Sequence, residues 1–207
     1  LLDEPLANLD YKLREELREE LPKIFTETGS IFVYATTEPS EALLLGGNTA
    51  TLCQGRVTQF GPTVAVYRNP VDLITAQTFS DPPLNTVPMT KAGDRFRFST
   101  GETIAVPEEL LGIADDTYTV GFHPHHLSPT NATDLTVALN VRVQVTEITG
   151  SESFVHLDFA GQRWVMLTRG IHDFRAGETI EVHLNPHRLM VFDRDGRAVS
   201  GDRPATA

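Results

Sequence analysis

Apolar positions between residues 9 and 24 recur at spacings of three and four: Leu9, Leu13, Leu17, Leu21 and Ile24. Glu15, Glu16, Arg18, Glu19 and Glu20 fill the opposite face, which is expected to be solvated. That period predicts an amphipathic helix over about residues 10–28, stopped by Gly29 and bent at Pro22, where the ring removes a hydrogen bond. Residues 31–35 (IFVYA) then form a continuous apolar run, the pattern of a strand buried on both faces of a parallel sheet. A short helix over residues 40–45 follows. Two short strands, 50–53 and 57–60, are joined by a turn at Gln54, Gly55 and Arg56. Residues 62–67 and 71–79 read as helices, punctuated by Asn69-Pro70.

After Asp81-Pro82-Pro83 the period changes from helical to two. It is clearest in LTVALNVRVQVTEI, where Leu135, Val137, Leu139, Val141, Val143 and Val145 alternate with polar neighbours. Shorter alternating runs occur at RFRFS, TIAV, YTVGF, SFVHLDFA, RWVML, TIEVHL and RLMVFD, each bounded by Gly, Pro, Asn or Asp. Closely spaced short strands with turn signals predict a small antiparallel barrel or a pair of them. Trp164, Phe154, Phe159 and Phe174 are its expected core aromatics. The tail GDRPATA is expected to be disordered.

Composition alters this picture only modestly. In 207 residues, 40% hydrophobic content is enough for a core, and the length allows one or two domains. Cys53 stands alone, which excludes internal disulfides and fits a reducing compartment. No apolar run approaches the roughly 20 residues of a spanning helix, and the N-terminus carries no signal-peptide pattern. The net charge of −11 is shared: −6 over residues 1–84 and −5 over 85–207. An acidic surface argues against nucleic acid or anionic lipid as the principal ligand.

The densest chemistry lies in the first ten residues, LLDEPLANLD. A carboxylate at a strand end can hold Mg²⁺ through water, and the next one can polarise a water attacking a γ-phosphate. The string resembles the Walker B motif and D-loop of the ATP-binding cassette (ABC) ATPases. The resemblance makes Asp3 the metal-side carboxylate and Glu4 the catalytic glutamate. Residues 6–10, including Asn8 and Asp10, become the D-loop that meets a partner subunit across the nucleotide. No G-x-x-x-x-G-K-[ST] loop and no LSGGQ-type signature occurs in the chain. The expectation is therefore a C-terminal portion of such a protein, unable to hydrolyse ATP alone.

Further strings extend the resemblance over about residues 1–197. GRVTQFGP and VYRNP are similar to the segment closing the nucleotide-binding domain of importers of the maltose and glycerol-3-phosphate type. TFSDPPLN is similar to their passage into a C-terminal regulatory domain. VGFHPHHL resembles the family's V-G-x-R-P-E-H-L, with His123 and His125 at the Arg and Glu positions. VTEITGSESFVHLDF and HRLMVFDRDGRAV resemble the TOBE, or transport-associated OB-type, domain. The implied fold class is α+β: a truncated α/β P-loop nucleotide-binding domain remnant over residues 1–80, a hinge at 81–86, an all-β OB-like (TOBE) barrel over 87–200 and the tail 201–207.

One departure bears on mechanism. The family's strand ends in a His-Asp switch whose imidazole contacts the γ-phosphate. Here the string is YATTEPSEAL, so Thr37 stands at the switch-histidine position and Glu38-Pro39 follow. Threonine hydrogen-bonds but carries no imidazole charge. Two readings stay open: a tolerated substitution, or a weak ATPase working beside a complete second subunit.

Other residues offer less. HPHH at 123–126 suggests a metal site, yet adjacent histidines at a strand end should splay apart and no cysteine supports them. His183 and His187 are separated by Pro186, which precludes one helical face. Asn131-Ala132-Thr133 matches a glycosylation sequon, accidental in a cytosolic protein. The resemblance implies Mg-ATP in the parent, a second ATP-binding subunit, membrane permease subunits and a regulatory protein on the β domain. It places the parent in the cytoplasm at the inner face of the membrane, and the fragment itself is expected to be a homodimer without nucleic acid. The alternative function is an autonomous OB-type module for an oxyanion or an oligonucleotide.

Overall fold

The structure is a computed structural model that describes residues 1–131 and 136–199. Leu135, most of the sequon and the tail lie outside the described residues. The chain packs as two units, Leu1–Val71 and Asp72–Ala207. This division falls ahead of the Pro-rich segment 81–86.

In the first unit, strand β1 (Leu2–Asp3) pairs in parallel with β2 (Tyr34–Ala35), joined by helix α1 (Tyr11–Thr28). The Asp10 carboxylate caps α1 by accepting from the Leu13 N–H at 3.1 Å, and Gly29 ends it at φ +62°. The helix continues through Pro22. Helix α2 (Pro39–Leu45) leads to the hairpin β3 (Asn48–Cys53) and β4 (Arg56–Pro62), whose turn holds Gln54 and Gly55 at φ +49° and +74°. Helix α3 (Thr63–Arg68) completes the unit.

One expectation for this unit fails. The strand in 31–35 contains only Tyr34 and Ala35, with Ile31 96% and Val33 59% exposed. Its one strand neighbour is β1, and no described element covers both faces, so the apolar run lacks the sheet that would bury it. The acidic face of α1 is solvated at Glu16, Glu19 and Glu20, as expected, while Arg18 among them is half-buried, 2.9 Å from Glu15 and 3.9 Å from Glu41 on α2. The α1 residues at the apolar spacing are no better covered, because the helix has no fully buried residue.

The second unit begins with helix α4 (Leu73–Thr78), capped by Asp72. Ten strands follow: β5 (Asn85–Ala92), β6 (Arg95–Arg97), β7 (Thr103–Ala105), β8 (Thr117–Phe122), β9 (Leu127–Ser128), β10 (Val137–Ile148), β11 (Glu152–Phe159), β12 (Gln162–Arg169), β13 (Thr179–Leu184) and β14 (Met190–Phe192). They form two five-stranded sheets, ordered β12-β11-β10-β13-β9 and β14-β8-β5-β6-β7. One core fills the space between them, with Phe96, Val120, Phe122, Val155, Met166, Val182 and Leu184 at 0% exposure. The predicted α+β class and OB-like barrel are both present.

The sheets exchange strands at two similar turns. Strand β8 runs through a 3-10 turn (Pro124–His126) into β9, which pairs with β13. Strand β13 runs through a second 3-10 turn (Pro186–Arg188) into β14, which pairs with β8. Pro-His-His-Leu and Pro-His-Arg-Leu thus build the same corner twice. A side-chain clasp closes another seam. The Asn85 amide donates to the Val165 carbonyl and accepts from the Val165 N–H, both at 2.7 Å, tying β5 to β12 as a strand partner would. The Trp164 indole N–H adds a bond to the Thr86 carbonyl at 3.1 Å.

Three details correct the alternation reading. A bulge between Val143 and Val145 in β10 reverses the phase, leaving Val145 47% exposed rather than inward. Phe154 lies between inward-facing Ser153 and Val155 and is only half-buried, as is Phe174, whereas Trp164 and Phe159 are core at 1% and 2%. Strand β5 went unrecognised because of Pro88. The Lys91 N–H bonds the Asp116 carbonyl beside β8, so Pro88, an odd number of residues away, turns its nitrogen from β8, where β6 begins pairing only at Thr90.

Candidate functional site: the loops after two parallel strands

The parallel register Leu2↔Tyr34 and Asp3↔Ala35 makes both strands end at the same edge. The Leu2 N–H donates to the Val33 carbonyl at 2.8 Å and the Glu4 N–H to the Ala35 carbonyl at 2.9 Å. Just beyond those bonds the chain delivers Asp3 and Glu4 from one strand and Thr36 and Thr37 from the other. Ligands of α/β sheets gather at such carboxyl ends. Asp3, Glu4 and Thr37 are exposed, so their polar atoms are free to meet a solute. Glu4 sits at φ +42°, in the left-handed region, at the start of a turn closed by the Ala7 N–H to the Glu4 carbonyl at 3.0 Å. A non-glycine residue held there is a strained position of the kind found at functional sites.

Asn8, at φ +64°, and Asp10 follow on that turn. Asn8 is exposed, while the Asp10 carboxylate is committed to the α1 cap. The structure therefore brings Asp3, Glu4 and Thr37 to one edge and gives Asp10 a local task.

Behind this edge lies a polar cluster that sequence reasoning missed. Glu41, 5% exposed, accepts from the Thr36 hydroxyl at 2.6 Å and the Tyr34 phenol at 3.0 Å. Burial, and then the Glu41 bond, hold the Tyr34 phenol well above its usual pKa. The Arg18 guanidinium lies 3.8 Å from Glu38 and 3.9 Å from Glu41. An acidic residue in the first turn of a helix opened by Pro39 was the available signal. A groove of about 610 Å³ between α1 and α2 is lined by Arg18, Glu19 and Ser40 among others, and includes none of the predicted site residues.

The histidines of 123–126 do not splay. His123 and His125 stack at 5.3 Å between centroids, and His125 and His126 meet edge-on at 4.4 Å. The cause is the 3-10 turn, whose three-residue period brings His123 and His126 to one side. Burial lowers His123 to a pKa of about 4 and His126 to about 3, with neighbouring His125 adding to both. His123 Nδ1 lies 3.1 Å from the Ser80 hydroxyl, and His126 Nδ1 is buried without a partner. Among the described residues, no group of three or more His, Cys, Asp or Glu is arranged to hold a metal. His183 faces Glu181 at 3.4 Å.

Residues 120–192 match the TOBE domain family, a span running from within β8 to the end of β14 and including both exchange turns. Among curated proteins, the chain is 32% identical over 216 residues to the sn-glycerol-3-phosphate import ATP-binding protein UgpC of Cupriavidus pinatubonensis, covering 98% of this chain and 57% of that protein. It is 30% identical over 206 residues to the maltose/maltodextrin import ATP-binding protein MalK of Salmonella typhimurium, covering 96% and 55%. An uncharacterized ABC transporter ATP-binding protein of Escherichia coli, YcjV, is 27% identical, covering 94% and 55%. The chain thus spans little more than half the length of these relatives. Among solved structures, the cytoplasmic molybdate-binding protein ModG aligns with a TM-score of 0.41 at 12% identity, over 52% of this chain and 94% of that one. An overlap so low carries no argument about ligand.

Proposed function

Because the chain belongs with the ABC transporter ATP-binding proteins of the sugar-importer type, we propose that it is part of the ATP-hydrolysing subunit of an importer for sugars, polyols or glycerol-3-phosphate. The observation that carries this reading is the common edge at which β1 and β2 deliver LLDEPLANLD and Thr37. In the full-length protein, Glu4 takes a proton from the attacking water and Asp3 holds the metal ion through water. Both carboxylates are exposed at a strand end, which suits them to a hydrated cation. Mg²⁺ supplies charge neutralisation to the phosphates. Thr37 contributes a hydrogen bond but no charge. Asn8 meets the partner across the nucleotide, and Asp10 fixes the D-loop turn through its cap.

The second unit is the regulatory and dimerisation module, where a regulatory protein docks. Permease subunits hold the assembly at the inner face of the membrane; no helix among the described residues is long and apolar enough to cross it. The 207-residue chain alone is inactive, because the backbone cradle for phosphates is supplied by a Gly-rich loop absent from its sequence. With Leu13, Ile24, Ile31 and Val33 exposed, it assembles as a homodimer, held by the β modules or by mutual covering of the first unit.

The test is Mg-ATP hydrolysis by the full-length protein, alone and assembled with its permease in vesicles, beside calorimetry of this chain with Mg-ATP. Magnesium-dependent turnover by the full-length protein and no micromolar binding by the chain are expected. Absence of turnover in the full-length protein, or tight binding by the chain, overturns the proposal.

A further inference from the structure

Two loops leave the edge formed by β1 and β2, and each is followed by a helix. Helix α1 begins at the Asp10 cap after the Asp3–Glu4 loop, and helix α2 begins after Thr37. The helices are joined by buried charge. Glu41, in the first turn of α2, has a side chain only 6% exposed, and one of its oxygens, Oε2, receives both the Thr36 hydroxyl and the Tyr34 phenol. Its other oxygen faces Arg18 of α1, which also pairs with Glu15 and lies near Glu38.

The Thr36 hydroxyl has one proton, and Glu41 takes it at 2.6 Å. A lone pair of the same oxygen is thereby directed to the Glu38 N–H, which donates to it at 2.9 Å. Residues 36 and 38 are thus pinned on either side of Thr37. The turn would otherwise depend on the Glu41 N–H to Glu38 carbonyl bond at 3.1 Å and the preceding two-residue strand.

We propose that Glu41 is the positioning residue of the Thr37 turn, and that Arg18 links this turn to the helix following the Asp3–Glu4 loop, so that both loops keep one geometry. The proposal rests on the reading of Thr37 as the switch position. The alignment of the turn is its own measurable property.

Amide hydrogen exchange of the 207-residue chain, followed by NMR at Glu38, reads the pinning directly. Glu41→Leu is expected to accelerate exchange at Glu38 roughly five-fold, the value of one lost hydrogen bond. Glu41→Gln, which keeps an acceptor of the same shape, is expected to restore most of the protection. In both variants the Tyr34 phenol, followed by ultraviolet titration against Tyr34→Phe, ionises at lower pH than in the wild type. If α2 loses its protected amides in Glu41→Leu, then Thr36→Val, which removes both the acceptor of the Glu38 N–H and one of the two hydroxyl donors to Glu41, gives the reading and is expected to show the same acceleration. Unchanged exchange at Glu38 in Thr36→Val, or in Glu41→Leu with α2 intact, overturns the proposal, as does a failure of Glu41→Gln to restore protection. None of these measurements involves nucleotide. Failure of ATP hydrolysis in the full-length protein is therefore distinguishable from failure here.

Discussion

Asn85 replaces a strand. Its amide completes both ladder bonds of Val165 at 2.7 Å, and the residue is 2% exposed, so water has little access to take its place. Asn85→Leu preserves the approximate size of the side chain and removes both bonds. Each partly buried backbone group left without a partner costs about 1–2 kcal/mol, so the substitution should destabilise the second unit by about 2–4 kcal/mol. Asn85→Asp should cost at least as much at neutral pH, because one oxygen still accepts from the Val165 N–H while the other faces the Val165 carbonyl. The chain's single tryptophan is the reporter, since Trp164 bonds Thr86 across the same seam at 3.1 Å and lies in the second unit. Urea unfolding followed by its fluorescence gives the free-energy difference from the shift in midpoint at constant slope. A loss below about 1 kcal/mol for Asn85→Leu would refute the clasp and leave the core of the barrel as the whole of its closure.

Other outcomes follow from the same physics. His123 and His126 are held neutral by burial, with pKa values of about 4 and about 3; His125 adds to both, and His123 and Arg188 add at His126. Unfolded histidines titrate near 6.5, so the unfolded state binds more protons below that pH. Stability of the second unit should be fully present above pH 6.5 and fall as pH drops toward 4. His123 carries part of that fall and His126 the rest, so His123→Gln should reduce, without abolishing, the slope of the stability profile from pH 4 to 7 measured by urea unfolding, and an unchanged slope would locate the acid sensitivity elsewhere. If Thr37 limits catalysis, Thr37→His in the full-length protein should raise steady-state ATP turnover. Equal or lower turnover would leave the tolerated substitution as the correct reading.

The fold of the second unit was largely legible because alternation reports a half-buried strand directly, and runs such as YTVGF and TIEVHL became β8 and β13. What failed was anything set by partners rather than by local pattern. The bulge after Val143 depends on how β11 pairs, so Val145 reads as inward until the register is known. Pro88 conceals β5 because its tolerance depends on where β6 begins. The run 31–35 carries the pattern of a central strand, but its burial requires covering layers that the described residues do not supply. At the site, Asp3, Glu4 and Thr37 could be named as candidates because strand-end carboxylates and a familiar string are local, and the structure places the three at one edge. Glu41 and Arg18 were not, since a buried acid with two hydroxyl donors is visible only when α1, β2 and α2 are assembled.

The role proposed for Glu4 is to activate the water that attacks the γ-phosphate in the full-length protein. Steady-state hydrolysis by the full-length protein and its Glu4→Gln variant, with Mg-ATP affinity measured in parallel, tests it most directly. A fall in turnover of at least about 100-fold, the usual contribution of a general base, is expected, with affinity essentially retained. Turnover unchanged by Glu4→Gln would contradict it.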